Sequence, residues 1–268
     1  MLITSRENPH IKAAVRLRGS AAQRCASGNF FLEGFRLCAD ALDSGHAPQE
    51  LYLTAQAREK YPTAELEQAA ARVYEITESV AQKLADTQHP QGVFAVCGIK
   101  PPSSEGGGPK DRGVFWRPGG KYIALENLQD PGNLGAAART AEALGLDGLL
   151  CGSGCDPYHP KALRASMGAL LRLPVLRTDD LPGALRAAAL QCALPCFAAV
   201  PDRDALCVHA CDFSHGGIVV IGSEGHGLTK EAIDACEHKI TIPMSGRAES
   251  LNAAAAATIL MWEMTVDN

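Results

Sequence analysis

Three short blocks in the C-terminal half of the chain set polar side chains beside glycines, and these residues are the best placed to do chemistry. The first runs Asn127-Leu-Gln-Asp-Pro-Gly-Asn133 and continues through Gly135 and three alanines to Arg139. The second is Ile221-Gly-Ser-Glu-Gly-His-Gly-Leu228, and the third Ile242-Pro-Met-Ser-Gly-Arg-Ala-Glu-Ser-Leu-Asn252. Arg139 carries a planar, permanently charged fork that can grip a phosphate with two parallel hydrogen bonds. Its plainer reading is a surface ion pair with Glu142, three residues on, worth about a few tenths of a kcal/mol. Glu224 lies in a glycine-rich loop, where a carboxylate either holds a hydroxyl, orders Arg139 or is merely solvated. Asn133 can start a helix after the Asp130-Pro131-Gly132 turn. Ser250 can cap the last helix, or contact a ligand at that helix's N-terminus with Asn252 in support. Around Gly222 the absence of side chains lets a ligand reach backbone amides.

The elements that must position these residues follow from the hydrophobic periodicity. Strands are expected at 121–126, 147–151, 196–200, 217–222 and 238–242, and helices at 133–144, 160–170, 180–191, 229–236 and 250–264. Strands rich in Ile, Val and Leu between amphipathic helices predict a parallel sheet covered on both faces, with ligands beyond the C-terminal strand ends, where the three blocks fall. A dinucleotide-binding protein would show Gly-x-Gly-x-x-Gly after its first strand, and a P-loop protein Gly-x4-Gly-Lys-Ser/Thr; neither pattern occurs. The N-terminal part alternates differently: a helix through Ile11 and Leu17, a strand at Phe30 leading into a helix that ends near Leu42, strands at 50–53, 72–76 and 92–97, and helices at 64–71 and 79–84. That pattern predicts a small α/β sandwich. Between the two parts, Lys100-Pro-Pro-Ser-Ser-Glu-Gly-Gly-Gly-Pro breaks the composition and reads as a linker. The expected division is therefore 1–97, a linker over 98–120, and 121–268.

With 46% apolar and 21% charged residues, the 268-residue chain has the make-up of a packed globular protein. Its net charge of −5 does not by itself mark a nucleic-acid binder. The N-terminal stretch is locally basic, however: up to Arg36 it holds Arg6, Lys12, Arg16, Arg18, Arg24 and Arg36 against Glu7 and Glu33. Arg6, Lys12, Arg24 and Arg36 are the candidate contacts to a nucleic acid, unless they form only a solvated basic face. Three of the ten cysteines' spacings are Cys-x3-Cys, which is not the usual zinc pattern, so no metal is expected and the thiols read as small buried apolar groups in a reducing cytoplasm. No apolar run approaches the roughly 18 residues of a membrane span, and the N-terminus lacks the apolar core of a signal peptide.

The three blocks, in this order, closely resemble the motifs of the SpoU/TrmH branch of the SPOUT RNA methyltransferases. The segment from Lys161 to Ala169, followed by Leu173-Pro-Val175, is also similar to that family. In the N-terminal part, Ser5-Arg-Glu-Asn-Pro-His-Ile-Lys12, Phe31-Leu-Glu-Gly34 and Gln91-Gly-Val-Phe-Ala-Val96 resemble its substrate-binding domain. The resemblance implies transfer of a methyl group from S-adenosylmethionine to a ribose 2′-hydroxyl, most often of ribosomal RNA. It further implies a C-terminal segment threaded as a trefoil knot and a homodimer with its active site at the subunit interface. By motif position, cofactor contacts fall at Gly222, Ile242 and Leu251, and apolar Ile242, Met244 and Leu251 suit an adenine face. Catalytic and substrate-positioning roles fall at Asn133, Arg139, Glu224, Ser250 and Asn252. Two other readings remain at this stage: a tRNA base methyltransferase of the same superfamily, and a non-catalytic RNA-binding or ribosome-assembly factor on the same scaffold.

Overall fold

The computed structural model describes residues 1–99, 115–202, 204–247 and 250–266. Most of the expected linker, residues 100–114, lies outside the described residues. In chain order the elements are β1 (Leu2–Ile3), α1 (Pro9–Gly19), α2 (Ala21–Ser27), β2 (Asn29–Glu33), α3 (Phe35–Asp43), β3 (Pro48–Leu53), α4 (Ala55–Lys60), α5 (Ala64–Ala69), β4 (Val73–Ile76), α6 (Glu78–Leu84) and β5 (Val93–Gly98). They continue with β6 (Lys121–Leu125), α7 (Pro131–Ala143), β7 (Gly148–Cys151), α8 (Pro160–Ala165), α9 (Ala169–Arg172), β8 (Val175–Arg177), α10 (Leu181–Cys192) and β9 (Cys196–Ala199). The last are β10 (Leu206–Cys207), β11 (Gly217–Ile221), α11 (Lys230–Asp234), β12 (His238–Thr241) and α12 (Ala253–Thr265). Two compact units result: Met1–Pro101 with Tyr158–Leu171, and Pro102–Pro157 with Arg172–Asn268.

The first unit is built on a mixed sheet in the order β1-β4-β3-β5-β2. Alternation along its strands sends Phe31, Tyr52, Phe94 and Val96 to one face, where Ile11 and Leu17 of α1 and Val80 and Leu84 of α6 complete a core. Leu37, Cys38 and Ala41 of α3 are buried as well, and α3 packs on β5 and β2. The α/β sandwich expected from the sequence is thus formed. Two of its basic residues are consumed by backbone. Arg18 donates to the carbonyls of Lys83 and Leu84 at the end of α6, closing the last turn of that helix. Arg24 is only 2% exposed and donates to the carbonyls of Leu17 and Arg18. This corrects its assignment as an RNA contact: a guanidinium buried against carbonyls at the α1–α2 turn presents no charge to a polyanion.

The second unit carries a seven-stranded, all-parallel sheet in the order β10-β12-β9-β11-β6-β7-β8. Every residue of β11 is buried, as its central place between β9 and β6 requires. One face packs Tyr122, Ala124, Leu150, Ile218 and Val220 against Leu181, Leu185 and Ala188 of α10. On the other face α12 lies against β11 and β6, and it packs on α7. The small residues Gly135, Ala137, Ala138 and Ala141 are buried on α7, as are Ala253 and Ala257 on α12, which lets backbones approach closely.

Local details depart from the sequence expectations. Strands β8 and β10 were not expected; they are three and two residues long and sit at the sheet's edges, too short for an alternation signal. The helix expected over 160–170 is broken into α8 and α9, because Met167 and Gly168 both take positive φ. Residues 115–120 are not free linker either: Trp116 is buried and packs edge-on against Tyr122. Among the described residues no helix is long and apolar enough to cross a membrane.

Candidate active site

Because β6 and β11 are hydrogen-bonded neighbours, with Leu125 opposite Ile221, the first two blocks leave the sheet side by side. The third leaves from β12, which is separated from β11 by β9. All three nevertheless meet. The Asn133 side-chain amide donates to Glu224 Oε1 at 2.6 Å, and the Asn252 amide donates to Asn133 Oδ1 at 3.2 Å. Asn133 is half-buried, while Glu224 and Asn252 are exposed, so this chain of polar groups lies at a solvent-facing rim.

Capping explains why these side chains are available. Helix α7 is capped by Asp130, whose Oδ1 accepts from the Gly132 N–H at 2.9 Å, with Pro131 in the first turn. Asn133 is therefore not the helix start expected from the sequence. Relieved of that task, it turns its amide to Glu224. At α12 the cap is Asn252, not Ser250: Asn252 Oδ1 accepts from Ala254 and Ala255. Asn252 thus uses its oxygen for the helix and its nitrogen for Asn133. Ser250 is exposed, two residues ahead of the cap.

Arg139 lies almost two turns further along α7 and is exposed. The surface pair with Glu142 does not form, since the Glu142 carboxylate is taken on both oxygens by Arg172. Arg139 has no ion-pair partner among the described residues. It borders a groove of about 390 Å³ between α7 and α12, together with Thr258, Ile259 and Trp262. Trp262 is 53% exposed, unusual for an indole.

The second block forms a tight loop. Ser223 and Gly227 exchange backbone hydrogen bonds of 3.1 and 3.0 Å. Gly222 passes directly under this crossing, where a Cβ would stand 2.0 Å from the Gly227 carbonyl carbon, so only glycine fits. Sequence reasoning missed the residue that anchors this loop. Glu126, at the end of β6, is buried, and its two oxygens accept the backbone N–H and the hydroxyl of Thr229, each at 2.7 Å. Thr229 in turn caps α11. The available signal was a carboxylate placed directly after an apolar strand, beside Asn127. In the third block Ile242 is half-buried, while Met244 and Leu251 are 38% and 37% exposed and leave apolar surface at the strand ends.

The buried thiols of this unit are not poised for nucleophilic work. Burial pushes Cys236 and Cys196 up to about 12 and Cys151 further, so all three stay protonated near neutral pH. Among the described residues no group of three His, Cys, Asp or Glu side chains could hold a metal ion.

Comparison with known proteins agrees with this layout. Residues 120–262 match the model of the SpoU rRNA Methylase family, and residues 8–95 that of the MRM3-like substrate binding domain. An uncharacterized tRNA/rRNA methyltransferase of Synechocystis sp. is 33% identical over 97% of this chain and 92% of its own length. The 23S rRNA 2′-O-methyltransferase RlmP of Bacillus subtilis is 28% identical over 98% of both chains. Among solved structures, the AdoMet-bound rRNA methyltransferase from Sinorhizobium meliloti superposes with a TM-score of 0.83 at 28% identity, covering 98% of this chain and 97% of its own. With its sheet, its three converging blocks and a family model matched over more than half its length, the chain belongs to the SpoU rRNA methylase family.

Proposed function

We propose that this chain transfers a methyl group from S-adenosylmethionine to a ribose 2′-hydroxyl of ribosomal RNA. The observation that carries the reading is the Glu224–Asn133–Asn252 chain, which draws the three blocks to one rim beyond the strand ends. Its named relatives include a ribosomal RNA 2′-O-methyltransferase and an AdoMet-bound enzyme. The residues present fit the cofactor: Gly222 keeps the loop floor free of side chains, and Met244 and Leu251 expose apolar surface beside Ile242. When bound there, S-adenosylmethionine supplies an electrophilic methyl group.

The protein's own contribution is alignment and charge. A ribose hydroxyl is a weak nucleophile that must shed its proton as it attacks. The Arg139 guanidinium stays protonated in proteins, so its role is to hold an RNA phosphate and to stabilise the developing oxyanion. Glu224 and Asn252 fix the Asn133 amide, so that this side chain meets substrate already oriented; Ser250 adds a polar contact at the same rim.

The same reading covers the assembly. The first unit serves as the RNA substrate-binding domain and the second as the methyltransferase domain, with the C-terminal segment threaded as a trefoil knot. A second copy covers the α7–α12 groove, which would account for the exposed Trp262 and bring Arg139 to a subunit interface. We place the reaction in the cytoplasm, where bacteria such as those of the relatives transcribe their ribosomal RNA. The test is to incubate the protein with methyl-labelled S-adenosylmethionine and total RNA from cells lacking its gene, then digest to nucleosides. Label is expected in a 2′-O-methylnucleoside from the ribosomal fraction. Label on a base would overturn the ribose reading, and no label on RNA or on assembling ribosomal particles would favour a binding factor.

A further inference from the structure

A second recess is lined wholly by residues of the first unit. It is a cavity of about 340 Å³, within the range of small-ligand sites, between the start of α3 and the α8–α9 turn. Two acids line it, the half-buried Asp40 on α3 and Glu33, and Glu33 is already committed. Glu33 accepts from the backbone N–H of Asp86 at 2.8 Å and of Thr87 at 3.4 Å, and also from the Thr87 hydroxyl. The remaining polar lining is mostly donors. Arg36 is exposed, and neither it nor His89 has an ion-pair partner among the described residues. Arg164 pairs with Asp86 through one nitrogen, but its Nη1 is buried with no hydrogen-bond partner, 3.9 Å from Glu33. The Glu33 carboxylate is the charge partner of that nitrogen, and Arg164 as a whole keeps this wall of the cavity cationic.

Shape points the same way. Gly34 at φ 100 leaves the floor bare; a Cβ there would stand 3.2 Å from Gln91 Oε1. On the rim, Met167 is 39% exposed and held at φ 50, a conformation that costs a residue of its size about 1 kcal/mol or more. Strain of this kind is retained where it presents a side chain, and here it presents a soft, polarisable thioether over an opening lined with donors. A flat, acceptor-rich group attached to an anion matches both features.

We propose that this cavity takes one unpaired RNA nucleotide, its base under Met167 and facing Arg164, its phosphate on Arg36 at the rim. The inference rests on RNA being the substrate and adds where the first unit holds it. The test uses the full chain with a mixed-sequence single-stranded RNA and the blunt duplex of the same sequence. Met167→Ala weakens single-strand binding at least fivefold, leaves duplex binding unchanged and does not alter the salt dependence. Arg36→Ala weakens single-strand binding and lowers the salt slope by roughly 0.7 to 0.9, one phosphate contact, and Arg36→Lys restores the slope. Both sites are at the surface, so circular dichroism and S-adenosylmethionine affinity stay at wild-type values. Single-strand binding by both alanine variants equal to wild type overturns the cavity. Methyl transfer to total RNA, measured alongside, keeps the two readings apart: no transfer by wild type overturns the methyltransferase assignment, while the binding data still decide the cavity.

Discussion

Two sets of polar side chains, one in each unit, are used in opposite ways. In the first, Arg24, Arg18 and Glu33 spend their charges on backbone groups of their own unit: carbonyls at the α1–α2 turn, carbonyls at the end of α6, and amides at 86–87. In the second, Asn133, Glu224 and Asn252 bond one another across 91 and 119 residues of sequence, at an exposed rim. Residue type does not separate these cases; the partner does. A polar group matched to backbone closes a turn, whereas one matched to a distant side chain near solvent is arranged to meet something else. Arg139, exposed and unpaired among the described residues while its neighbour Glu142 is occupied, extends the second pattern.

The sharpest way to break this contrast is Arg139→Ala. If the guanidinium acts on the transition state, turnover falls by about 100- to 1000-fold, in the range of a lost oxyanion donor. Cofactor affinity, read by calorimetry, changes by less than about threefold. Comparable losses in both would make Arg139 a structural group like Arg24. Next in size, Asn133→Ala and Glu224→Ala each cost roughly 10- to 100-fold in kcat/KM, and the double variant is little worse than the poorer single one, since the two act as one unit. Additive losses in that cycle would show that the 2.6 Å bond does not couple them.

The converse case is Arg24→Ala. It leaves Leu17 and Arg18 carbonyls without their charged donor, so the first unit loses about 1.5–3 kcal/mol, seen as a lower midpoint in urea unfolding. RNA affinity of the folded fraction is unchanged. A stable variant with weakened RNA binding would reverse the correction made for this residue.

The same contrast marks what could be read from the sequence. The buried strands announced themselves by runs such as Gly-Ile-Val-Val-Ile in β11, and the blocks by polar groups at their ends. Which polar group did which task was not legible. Asp130 and Asn133, or Ser250 and Asn252, are equally good caps by type, and only the path of the backbone decides which amide is left over for the site. Arg24 sits in a basic run that looks solvated, and its burial depends on how α2 folds back on α1. Glu126 went unread for the same reason, because its partner Thr229 lies 103 residues away.

The smallest expected difference separates two cations that the sequence treats alike. Lys12 is bound to Glu7 at 2.7 Å, and that hydrogen bond, with the charge of Lys12, holds the Glu7 carboxyl below its ordinary 4.5. Arg6 has no such partner among the described residues. At neutral pH the Lys12 charge is locally cancelled, so Lys12→Ala weakens RNA binding less than Arg6→Ala and shifts the salt slope by less than the roughly 0.7 to 0.9 of one phosphate contact. The depressed carboxyl sets the pH window. The pair is fully formed above 4.5 and is lost as pH falls through the lowered value of Glu7, where Lys12 becomes free to bind a phosphate. Glu7→Gln frees it at neutral pH, and anisotropy titrations with the single-stranded probe should then show tighter binding than wild type. Unchanged affinity in Glu7→Gln would remove Lys12 from the candidate RNA contacts.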